Sequence, residues 1–64
     1  MITLARRNGQ PVIVNADLIE LVERSDDGAT VITLTTGNVL EVVQLPHDVA
    51  ETVIAYRQRI AGRT

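Results

Sequence analysis

Arg6 and Arg7, followed at once by Asn8-Gly9, are the residues whose types and spacing best suit a specific contact with another molecule. A guanidinium presents a planar fork of donors that fits a carboxylate or a phosphate. Two of them beside a tight turn would hold that fork out from the protein body. A charged edge that discourages sheet-to-sheet aggregation would use the same residues. The other reactive side chains do not assemble into a site. His47 and Ser25 are the sole histidine and serine, and nothing in the sequence pairs them, whereas a general base needs a nucleophile and an orienting group in reach. Asp17, Glu20 and Glu23 share a short stretch, yet on a strand Glu20 and Glu23 point to opposite faces and cannot converge as an acid–base pair. Asp26 and Asp27 sit in a turn for backbone reasons, without the alternating ligands and terminal Glu of a calcium loop. There is no cysteine, which excludes disulfides and zinc–thiolate sites. Gly9, Gly28, Gly37 and Gly62 are isolated, so no phosphate-cradling loop is present. The expectation is no catalytic residue, no cofactor, no metal and no small-molecule substrate, with Arg6, Arg7 and Asn8 as partner-binding residues. Arg57, Arg59 and Arg63 form a second basic patch, which also complements a helix dipole.

The elements that would position these residues can be read from periodicity. Ile2-Thr3-Leu4-Ala5 alternates as a half-buried strand does. Asn8-Gly9 signals a hairpin, since both residues tolerate positive φ, and Pro11 opens a second strand through Val14. Asn15 is placed either to cap a helical turn over Ala16-Asp17-Leu18 or to form a simple Asx-turn. Residues 19–24 read as a third strand, with Ile19 and Leu21 on one face. Ser25-Asp26-Asp27-Gly28 is a turn, residues 30–35 a fourth strand with Ile32 and Leu34 facing one way, and Thr36-Gly37-Asn38 a further turn before a fifth strand over residues 39–43. Turns this short join antiparallel neighbours. The period then changes: Val49, Val53, Tyr56 and Ile60 recur at helical spacing, with Ala50 and Ile54 widening the stripe. Pro46 suits the first helical position and Gly62 the end. The fold class is α+β: a small twisted antiparallel sheet of about five strands with one C-terminal amphipathic helix, in a single domain over residues 1–64. Val and Thr on the second sheet face suggest a surface that another subunit covers.

At 64 residues, a domain buries about 60% of its unfolded surface and is commonly supported by oligomerisation when disulfides and metals are missing. Tyr56 is the single aromatic residue, which implies a thin core. A homo-oligomer is therefore expected. The net charge is −2 with all six basic residues arginine, which gives no bulk attraction to nucleic acid or anionic membrane. No apolar run approaches the roughly 20 residues of a membrane-spanning helix, and no charged segment precedes the short apolar opening as in a signal peptide. A cytoplasmic protein without direct membrane insertion is expected.

The order Asn8-Gly9, Asn15, Asp17-Leu18-Ile19-Glu20, Val31-Ile32-Thr33-Leu34, Gly37, Val42-Val43 and Tyr56-Arg57 resembles the flagellar FlbD family, also known through swarming motility (SwrD), over nearly the whole chain. Two departures are Leu45-Pro46, where the family usually has Glu-Ser, and the Ser25–Gly28 loop, which lacks the usual Pro-Asp. The resemblance implies a small cytoplasmic, non-enzymatic flagellar accessory associated with motor power and swarming. Together with the Arg6/Arg7 turn it leads to the expectation of a protein peripheral at the flagellar base that binds a motor or export-apparatus protein through that hairpin or a sheet edge. It implies no active site, and it makes Asn8, Gly9, Asn15, Asp17 and Glu20 scaffold-setting positions. An alternative resemblance is to the carbon storage regulator family of small RNA-binding proteins, carried by Leu4, Arg6, Arg7 and Gly9. It covers the opening strand and turn, then fails: Asp48 in Pro46-His47-Asp48 stands where that family has a phosphate-binding Arg, and base-stacking aromatics are missing.

Overall fold

The structure, a computed structural model, describes residues 1–62. Five strands and one helix follow in the order β1 (Ile2–Ala5), β2 (Pro11–Val14), a 3-10 turn (Ala16–Leu18), β3 (Ile19–Arg24), β4 (Thr30–Leu34), β5 (Val39–Val42) and α1 (Pro46–Ala61). The α+β class and the five strands match the sequence reading. The strands are divided between two antiparallel sheets, a β1–β2 hairpin and a β3–β4–β5 meander.

All three hairpins use one turn design. The amide of Gly9 donates to the Arg6 carbonyl, that of Gly28 to Ser25 and that of Gly37 to Leu34, at 2.8, 3.0 and 2.9 Å. Each glycine has φ of +91 to +94°, and no other described residue has positive φ. Asn8 therefore does not take the left-handed role the sequence suggested for it, and neither Asp27 nor Thr36 takes one in its turn. Their side chains do other work. Oδ1 of Asn8 accepts from the Gln10 amide at 3.0 Å, Oδ1 of Asp27 from Ala29 at 3.3 Å, and Oγ1 of Thr36 from Asn38 at 3.5 Å. This side-chain acceptor followed by a left-handed glycine is the chemistry of a three-residue hairpin loop closed by a bulge.

The two sheets meet at one place. Arg6 bridges Val42 across the gap, with the Arg7 amide donating to Glu41 at 3.2 Å and the Val43 amide to Ala5 at 2.9 Å. The Ala5 amide also donates to Oε1 of Gln44 at 3.1 Å. The backbones of residues 5–7 and 41–43 are thus paired without a sixth strand. The core lies beneath this junction, where Ile2, Leu4, Val14, Ala16, Ile32, Val42 and Val49 are buried together and Val12, Val22, Leu34, Leu40, Val53 and Tyr56 pack around them. Thr30 is also buried, and no buried side-chain polar atom among the described residues lacks a hydrogen-bond partner.

Two sequence readings change. Ile19 opposes Leu34 while Leu21 opposes Thr33, so Glu20 is an extra residue in β3. Such a bulge breaks strict alternation: Ile19 and Val22 turn to the core, and Leu21 is left 49% exposed on the other face. Along α1, Val49 is fully buried, but Ile54 and Ile60 are 55% and 49% exposed, and Ala50 is exposed as well. The helix buries a narrower stripe than its apolar residues suggest, because a single helix on a small sheet meets it along one line only. Asn15 caps its turn as expected, accepting from the Asp17 amide at 3.0 Å. Leu45 precedes α1 with no side-chain cap.

Removing the buried side chain of Ile32 should cost about 2–5 kcal/mol, a large share of the stability of so small a domain. Ile54→Ala should stay within about 0.5 kcal/mol, as for other surface changes. Urea denaturation of the two variants checks this. A larger loss for Ile54→Ala would show that α1 is seated differently.

Candidate protein-docking surface

The hairpin tip that carries Arg6, Arg7 and Asn8 projects beside β5, because Arg6 pairs with Val42 in the backbone. Arg6 lies past the end of β1 and is exposed. Arg7 follows it on the outer side of the sheets. There its guanidinium Nη1 donates to Oδ2 of Asp27 at 2.8 Å and to Oε2 of Glu41 at 3.1 Å. One cation from the first turn thereby ties the second turn to β5.

The electrostatics follow from these contacts. The carboxyl of Asp27 is held down to about 2, first by the Ser25 hydroxyl, then by Arg7, then by the Ala29 amide. The Ser25 hydroxyl donates to Oδ1 of the same carboxylate. Arg7 is pushed above its ordinary value by hydrogen bonds and charge from Asp27 and Glu41. All of these groups are exposed, so each pair contributes little to stability. The contacts chiefly position the Arg7 side chain.

Arg6, Arg7 and Asn8 form one rim of a shallow depression whose floor and far side are Val31, Val39, Leu40 and Glu41. Val39 is 58% exposed, and the adjoining Leu21, opposite Thr33 and hence across β4 from Val39, extends the apolar surface. The structure brings the three sequence-selected residues together, with unlike roles. Arg7 is engaged with Asp27 and Glu41, and Asn8 uses its side-chain carbonyl within the turn. Arg6 makes no ion pair among the described residues. Val39 and Leu21 were not singled out from sequence. The parity of Val39 against Leu40 and Val42 is a readable signal for the first, while the bulge at Glu20 hides the second.

The remaining polar residues stay apart. His47 lies in the first turn of α1, with Nε2 3.0 Å from Oε1 of Glu51, and the Pro46–Asp48 segment is helical. Asp17 faces Arg57 at 3.8 Å. No three His, Asp or Glu side chains among the described residues are grouped to hold a metal ion, and no described helix is long and apolar enough to cross a membrane. The arrangement suits recognition of a surface with apolar and charged groups.

The chain matches the family model described as FlbD, flagellar and swarming motility proteins, over residues 1–61, and it belongs to that family. No curated protein and no solved structure matches it.

The Asp27 contacts give a pH signature. A carboxyl whose folded value lies below its ordinary 3.8 contributes stability above that ordinary value, and the contribution is lost as pH falls through about 2. In a carboxyl-detected NMR titration, Asp27 should show a midpoint near 2. Arg7→Ala should raise that midpoint, and Ser25→Ala should raise it more, since the hydroxyl is the larger cause. An unchanged Asp27 midpoint in both variants would contradict the contacts described.

Proposed function

We propose that this flagellar and swarming motility protein is a non-enzymatic accessory that docks on a motor or export-apparatus protein through the outer sheet face. The observation that carries the reading is the depression in which Arg6, Arg7 and Asn8 stand over exposed Val39 and half-buried Val31. An apolar floor with a charged rim is the usual anatomy of a protein interface, and exposed apolar surface bordered by polar groups marks such sites. Arg6 supplies the donor fork for a partner carboxylate. Arg7, fixed by Asp27 and Glu41, holds the rim in place. The reading places the protein in the cytoplasm, peripheral at the flagellar base. It also makes the protein a homo-oligomer through the outer edge of β3, whose backbone groups have no neighbouring strand among the described residues and can pair with another chain. Sedimentation of the purified protein checks that part. A single species at monomer mass at all concentrations would exclude it.

The docking reading is tested by Arg6→Glu and Val39→Glu, each expressed in a strain lacking the native protein. Both side chains are exposed, so melting curves should match the parent while swarming is lost. Full swarming with either variant would remove the outer face from function. Loss of swarming together with loss of folding would assign the effect to stability.

A further inference from the structure

The buried line of α1 does not stop where the sheets stop. Val49 is fully buried, Val53 and Tyr56 are half-buried, and Ile60, on the same helix face, is 49% exposed. The helix therefore runs off the end of the core. The molecule measures 41 × 22 × 19 Å, and the 16 residues of α1 make a helix about 24 Å long. Tyr56, at the edge of the core, and Ile60, past it, line a shallow depression with Met1 and Arg59, and Met1 is 63% exposed. At 3.6 residues per turn, Arg57 and Arg59 lie about 80° to either side of the Tyr56–Ile60 line. The uncovered apolar strip thus has a cation along each border. Arg57 reaches Asp17 only at 3.8 Å, and Arg59 has no ion pair among the described residues.

We propose that this overhanging strip of α1, Met1, Tyr56 and Ile60 between Arg57 and Arg59, docks an amphipathic helix of a partner protein that carries carboxylates beside its apolar line. The surface is distinct from the outer sheet face and does not depend on it. Charge complementarity selects the occupant. A second copy packed by a two-fold axis with its helix antiparallel would bring like borders together, Arg57 toward Arg57 and Arg59 toward Arg59, which is repulsive. An anionic membrane generally requires a cluster of several basic residues, and this protein is net negative. An acidic amphipathic helix satisfies both borders and covers the apolar strip by a familiar recognition mode.

The test uses the full-length, isotope-labelled protein and two synthetic amphipathic helical peptides with the same leucine line, one bordered by glutamates and one by lysines. The glutamate peptide should shift the NMR signals of Met1, Tyr56, Arg59 and Ile60, with an affinity that falls as salt is raised. Ile60→Glu should abolish those shifts, and the Arg57→Glu/Arg59→Glu variant should weaken binding about tenfold or more, the sum of several modest ion-pair losses. Both substitutions are at exposed positions, and unchanged backbone spectra would confirm folding. Equal binding of the lysine peptide, or shifts confined to other surfaces, would overturn the proposal. So would concentration-dependent dimerisation removed by Ile60→Glu, which would make a second copy the occupant, or binding to phosphatidylglycerol vesicles without binding to the peptide.

Discussion

The structure depends on the backbone junction between Arg6 and Val42. Neither sheet is self-sufficient: a two-stranded hairpin is marginal alone in water, and the β3–β4–β5 meander has one apolar face to cover. At the junction, Val42 does three things at once. Its backbone pairs with Thr30 within the meander and with Arg6 of the hairpin, and its side chain is wholly buried in the shared core. The hairpin can therefore bring Ile2, Leu4 and Val14 over Ile32 and Val49 only if the chain crosses at this point. The exposed Arg7–Asp27–Glu41 cluster lies on the opposite side of the same crossing and keeps the hairpin tip in register with the second turn.

Placing the hairpin there also creates the outer face. Arg6 and Arg7 are adjacent in sequence and both border the depression on this face, but only Arg7 reaches carboxylates of the chain, so it is drawn into internal ion pairs and Arg6 is left for a partner. A basic pair in a sequence suggests two equivalent contacts. In the folded protein it becomes one contact and one support, and the carboxylates that separate the two roles come from residues 27 and 41, far away along the chain.

Much of this was legible in the sequence where local chemistry decides it. The three turns announce themselves through Asn8-Gly9, Asp27-Gly28 and Thr36-Gly37, because a left-handed position and a side-chain acceptor are local requirements. The cap at Asn15, the entry of α1 at Pro46 and its end at Gly62 are local in the same sense. What depended on the neighbour across the gap was not legible. Strict alternation placed Ile19 and Leu21 together, but the extra residue at Glu20 is visible only when β3 is laid against β4. Helical spacing included Ile54 and Ile60 in the buried stripe, but the breadth and length of that stripe are set by the sheets beneath, which are narrow and short. At the candidate site, Arg6, Arg7 and Asn8 were visible as a cluster, whereas the engagement of Arg7 and the exposure of Val39 follow from tertiary pairing.

The most direct measurement is photocrosslinking from position 39 in motile cells, with a photoreactive amino acid in place of Val39. The account predicts a covalent adduct with a flagellar motor or export-apparatus protein, lost when Arg6→Glu is introduced into the same chain. An adduct with RNA, an adduct that persists unchanged in the Arg6→Glu background, or no adduct in cells that swim normally would contradict it.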